Sequence, residues 1–86
     1  MSFTGEIANE LNYVHKNKVI FVGRTKDDKV NFSLRSEKVK VLPILEKAIN
    51  GLDGSGGGHD NAVGGSINVN DFSKFITNLR KIINKT

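Results

Sequence analysis

Cysteine is absent from this 86-residue chain, so neither a disulfide framework nor a thiolate metal site can be built. That absence is compatible with a cytoplasmic home, which is the expectation. No apolar run approaches the ~20 residues of a membrane span, and the N-terminus lacks a signal-peptide core. No membrane association is expected. Tryptophan is also missing, and the few aromatic residues do not alternate with basic ones as a stacking platform for bases would require. The two histidines, His15 and His59, lie 44 positions apart. Two-metal phosphoester hydrolysis needs several clustered Asp and His ligands, and no such cluster is written here. No catalytic residue, metal ligand or cofactor is therefore expected in this chain.

What is present reads as an ordinary globular domain. Hydrophobic residues make up 37% and charged residues 26%, which is not the composition of a disordered segment. The length allows one domain, with a core small enough that a partner surface would help it. Thirteen Lys and Arg against nine Asp and Glu give a net charge of +4, which mildly favours anionic partners.

Glycine is distributed unevenly. Seven of the nine fall between Gly51 and Gly65, and residues 54–66 read GSGGGHDNAVGGS. This is not a P-loop, because no Gly-Lys-Ser/Thr follows. The dinucleotide G-x-G-x-x-G spacing fails too, because His59 or Asn61 stands where the third glycine belongs. Gly56, Gly57 and Gly58 can present bare backbone N–H groups to an anion, forming a nest. His59 beside them is a donor to a phosphate oxygen, the stronger when protonated. A short helical turn at 61–63 would aim its amino end at the same ligand. A flexible linker is also written in glycine and serine. Such a linker does not need His59, Asn61 and the Ala62-Val63 pair between its glycines, so ligand binding is the preferred reading. Asn61 is a lesser member of the site, since loop asparagines commonly serve turns.

Ile7, Leu11 and Val14 repeat at helical spacing, which predicts a short amphipathic helix over Glu6 to His15, or the tail of a linker helix. Residues 1–17 are assigned to that segment, and 18–86 to the domain proper. Val19 to Val22 form a continuous β-branched and aromatic run, as in a strand covered on both faces. After the polar turn at 25–29, Val30, Phe32 and Leu34 alternate with polar residues, predicting a half-buried strand and hence a hairpin. That alternation turns Arg35 away from the core face, where its planar fork of donors suits phosphate. A solvated arginine on an open sheet face is the competing reading. Pro43 fits the first turn of a helix whose buried stripe is Leu42, Leu45, Ala48, Ile49 and Leu52, stopped near Gly51. Residues 66–69 form a short strand, and Asn70 is the expected N-cap of the last helix. There Phe72, Phe75, Ile76, Leu79, Ile82 and Ile83 recur at three and four. Lys74, Arg80, Lys81 and Lys85 are expected on its outer face. The expected architecture is a small α/β domain in the order α-β-β-α-β-α, with helices packed on a mixed sheet.

GGGHDNAVGG, followed by an apolar strand and an amphipathic helix, resembles the GGGH motif of the DHH-associated domain. That is the C-terminal domain of DHH-family phosphoesterases, including RecJ-like single-strand nucleases and oligonucleotide or cyclic-dinucleotide hydrolases. VNFSLRS, Val30 to Ser36, is similar to the family's Ser-x-Arg-Ser strand. The order of elements matches over about residues 18–84. Asp60 departs from the proline, and Val63 from the alanine, that the family often carries. The resemblance implies a substrate-binding role toward single-stranded nucleic acid or a short oligonucleotide. It adds Ser33 and Ser36 to the phosphate-binding set of Arg35, Gly56, Gly57, Gly58, His59 and Asn61. It further implies a DHH catalytic domain in cis or in trans that holds manganese or magnesium, with no activity from this chain alone. The same domain resembles the C-terminal part of alanyl-tRNA synthetases, which implies RNA binding and assembly instead. A scaffold domain with an idle site is the third alternative.

Overall fold

The computed structural model describes residues 10–14 and 18–85. Strands β1 (Glu10–Val14), β2 (Ile20–Lys26) and β3 (Lys29–Arg35) come first, then helix α1 (Val41–Ile49). Strands β4 (Gly54–His59) and β5 (Ala62–Asn68) follow, and helix α2 (Val69–Asn84) closes the chain. The α/β class holds, and the elements expected from residue 18 onward follow in the expected order, with strand β4 added ahead of β5. Pro43 lies in the first turn of α1, where its missing N–H has no intrahelical partner. The helix ends just ahead of Gly51, whose φ of 82° is the left-handed conformation of a C-terminal stop.

Three features differ from expectation. Residues 10–14 of the expected N-terminal helix are a strand; 6–9 and 15 lie outside the described residues. Leu11 and Tyr13 also alternate at period two, and pairing with β2 satisfies backbone groups that would otherwise be left at its edge. The glycine segment, expected as a loop, is strand β4, paired with β5 through a tight turn at Asp60–Asn61. Finally, the sheet is not mixed. Its order is β1-β2-β3-β5-β4, and every neighbouring pair is antiparallel. The crossover through α1 does make β3 and β4 run the same way, but β5 inserts between them.

Both helices cover one face of this sheet. Phe21, Val30, Phe32, Leu34, Val63 and Ile67 alternate onto that face and are buried against Val41, Ile44, Leu45 and Ala48 of α1 and Phe75, Ile76, Leu79 and Ile83 of α2. Leu42, Ile49 and Leu52 flank this core half-buried, so the stripe of α1 is centred one residue earlier than its spacing predicts. Phe21 is the hub of an aromatic group, its ring centroid 5.9 Å from Phe32, 6.1 Å from Phe72 and 6.5 Å from Phe75, while Phe32 and Phe75 lie 5.0 Å apart. The cap of α2 is Asn68 rather than Asn70: its side chain accepts from the Asn70 N–H at 2.8 Å. The N–H of Val69 is already bonded to the Asp28 carbonyl, so the helix can begin there. Arg80, expected on the outer face, is half-buried, whereas Lys74, Lys81 and Lys85 are exposed.

Candidate functional site

Among the described residues no helix lies on the opposite face of the sheet. Cross-strand partners point the same way, so its residues fall into rows that run across the sheet. One row reads Val14, Ile20, Arg35, Ala62, His59. The next contains Val22, Ser33, Gly64 and Gly57, and the one after it Arg24, Asn31, Ser66 and Ser55. Arg35 and His59, 24 residues apart in sequence, thus share one face and one row with Ala62 between them. Two strand spacings separate their backbones by roughly 10 Å, a gap that their exposed side chains can close from both sides. The floor of that gap is low, because Ala62 has one methyl and Gly57 and Gly64 have none. An ideal Cβ at Gly57 would meet nothing within 4 Å. The result is a shallow trough with a donor on either wall.

The glycines do not form the nest that their spacing suggests. In an extended strand successive N–H groups alternate sideways, whereas a nest needs them to converge. Nor do residues 61–63 make a helical turn; Asn61 closes the hairpin and Ala62-Val63 begin β5. Gly56 and Gly58 face the helices rather than the trough. A Cβ on Gly56 would lie 3.1 Å from Leu45 of α1, and Gly58, at φ 148°, would crowd the Ala62 carbonyl at 2.5 Å. Of the three, Gly57 alone opens onto the trough floor.

Ser36 and Asn61 hold the site's frame. The buried Ser36 hydroxyl accepts from the N–H groups of Lys38 and Val39, at 3.2 and 3.0 Å. The Asn61 amide donates to the carbonyls of Ser36 (2.9 Å) and Val39 (3.1 Å), spending both of its donors. The Asp60 carbonyl accepts from Val41 and Leu42, so the β4–β5 turn caps α1. These bonds lock the hairpin carrying His59 against the end of the strand carrying Arg35. Asn61 therefore serves the turn, as asparagine chemistry suggests. Ser33 is half-buried on the open face beside Gly64.

Next to the trough lies a cleft of about 480 Å³ bordered by Arg35, Ser36 and Asn61. Lys18 and Lys38 also line it, with Glu37 as a carboxylate and Ile20 on its wall. Three cations against one acid make it electropositive. His59 and the glycines do not line this cleft; Arg35 is common to cleft and trough. Lys18 and Lys38 carried no signal in the sequence, since each is one lysine among many until the fold brings them beside Arg35. Among the described residues no group of three or more His, Cys, Asp or Glu is placed to hold a metal ion, and no helix is long and apolar enough to cross a membrane.

A family model for the DHHA1 domain, the DHH-associated domain of DHH-family phosphoesterases, matches residues 3–85, nearly the whole chain. Such domains usually accompany a DHH catalytic domain. No curated protein matches the chain.

Proposed function

The chain belongs to the DHHA1 domain family, and we propose that it is the substrate-binding half of a RecJ-like phosphoesterase, non-catalytic by itself. It holds one phosphate of a single-stranded nucleic-acid end or short oligonucleotide. A DHH domain, in cis or in trans, supplies manganese or magnesium and carries out hydrolysis. One observation carries the reading: Arg35 and His59 share a row and a face, on either side of a floor made of Ala62, Gly57 and Gly64. The guanidinium fork matches two non-bridging phosphate oxygens, and the imidazole donates to a third. Fixing a phosphate in this way orients the scissile bond toward the partner domain, and such positioning can lower a barrier by several kcal/mol (up to ~7–11) with no covalent role.

The test is a double-mutant cycle on oligonucleotide affinity, read by fluorescence anisotropy at low salt. Arg35→Ala and His59→Ala should each lose about 1–3 kcal/mol, the scale of hydrogen bonds to charged groups. Together they should lose less than the sum, because both bind one phosphate. Full additivity, or unchanged affinity in either variant, would show that the two side chains do not share a ligand group.

A further inference from the structure

Lys38 borders two clefts. On one side it meets the Arg35 cleft already described. On the other it lines a second cleft of about 310 Å³ together with Lys40 and Lys47, over Pro43 and Ile44 of α1 and Ile82 of α2. None of the described residues lining this second cleft is acidic. Positions 40, 43, 44 and 47 recur at three and four, so they form one stripe along α1. The stripe holds a lysine at each end, about 10 Å apart for seven residues at 1.5 Å each.

Lys47 by itself is unremarkable, since a cation in the last turn complements the helix dipole. Lys40 is not. It occupies the N-cap of α1 and makes no side-chain cap bond, and no acidic residue stands in the first turn. A cap position favours Ser, Thr, Asp or Asn, and a cation there opposes the positive end of the dipole. The residue works against its own helix. A phosphate beside it would reverse the sign through the ammonium, since the first-turn N–H groups of Val41 and Leu42 already bond the Asp60 carbonyl.

We infer that the Lys38, Lys40 and Lys47 cleft is the exit track for a single strand whose terminal phosphate sits in the trough. The inference rests on the proposed function and extends it to the substrate's length. The anchored phosphate lies at Arg35 and His59. The chain then passes Lys38, which joins the two clefts, and its next phosphates lie along Lys40 and Lys47. At a duplex-like rise of ~3.4 Å per nucleotide the stripe spans roughly three phosphates. Pro43, Ile44 and Ile82 offer the sugars an apolar floor. The site is thereby suited to oligonucleotides of several residues rather than to dinucleotides.

Anisotropy titrations of the 86-residue chain with a labelled dinucleotide and a labelled octanucleotide, each at two salt concentrations, test the track. The octanucleotide should bind more tightly and with the steeper salt dependence. In the double variant Lys40→Gln/Lys47→Gln, its log–log salt slope should fall by about 1.4, at ~0.7 per lost phosphate contact, while dinucleotide binding stays unchanged. Both lysines are exposed, so melting should be unaffected, and Lys40→Gln alone should not lower it. Equal affinity for the two probes, or an unaltered slope in the double variant, would overturn the track. So would an oligoglutamate of the same length competing as well as the octanucleotide, which would mark a general anion face. If Arg35→Ala and His59→Ala leave dinucleotide affinity unchanged while the lysine variant still alters the slope, the anchoring site fails and the basic stripe stands.

Discussion

Gly57 and Gly65 lie on neighbouring strands and face opposite ways, so the same substitution should have different consequences. Gly65 points toward the helices, where a Cβ would collide with the Ser55 carbonyl and approach the Gly56 Cα to 2.7 Å. Both obstacles are backbone and cannot turn aside. Gly65→Ala should therefore destabilise the domain by about 1–3 kcal/mol, the cost of overpacking, read as a lower urea midpoint. Gly57→Ala meets open space and should leave the midpoint unchanged or slightly raised. Its methyl would stand on the trough floor, so phosphate-dependent binding should weaken. Unchanged affinity in Gly57→Ala would remove that floor from the contact surface. The GGGH run announces a special backbone, but which glycine serves packing and which opens onto the trough depends on the face each one takes.

At the scale of elements, the two helices are capped by different means. Helix α2 carries its own cap in Asn68, whose side chain accepts from the Asn70 N–H. Asn68→Ala should cost about 1 kcal/mol, the usual loss for a polar N-cap. Asn70→Ala should cost less, and thermal melts of the two variants distinguish them. Helix α1 depends on the Asp60 carbonyl and on the Asn61 tie to Ser36 and Val39. Its start is thus tied to the hairpin that presents His59. Strand β3 and helix α2 were legible as local patterns, because one period dominates each. Residues 10–14 were not: their apolar positions satisfy periods near 3.6 and 2 alike, and only the open edge of β2 selects the strand. Strand β4 had no side-chain pattern to read at all, since four of its six residues are glycine.

For the whole molecule, the aromatic group joining β2, β3 and α2 holds the two layers together. Phe75 is fully buried, and its ring lies 5.0 Å from Phe32 and 6.5 Å from Phe21. Phe75→Ala should cost about 3–5 kcal/mol through lost burial and the cavity left behind. A domain of this size has roughly 4–13 kcal/mol in all, at ~0.05–0.15 per residue. The variant should be partly unfolded at 37 °C, with a urea midpoint far below that of the parent. A midpoint within error of the parent would mean that helix packing does not run through this ring. The trough itself is on the opposite face and gains its rigidity from these layers together with the Ser36–Asn61 bonds that tie its two walls.

The sequence alone determined the α/β class, the β2–β3 hairpin, both helices and the family, because alternation, helical periodicity and two short motifs are local properties. It also singled out Arg35 and His59, whose chemistry suits phosphate wherever they stand. Only the tertiary structure decided that they share a row, because that depends on β5 inserting between β3 and β4 with a particular register. A slip of one residue in either pairing would have put them on opposite faces. The basic clefts around Lys18, Lys38, Lys40 and Lys47 likewise exist only once the chain is folded. Charge is written in the sequence, but its concentration into a surface follows from which distant segments the sheet and helices bring together.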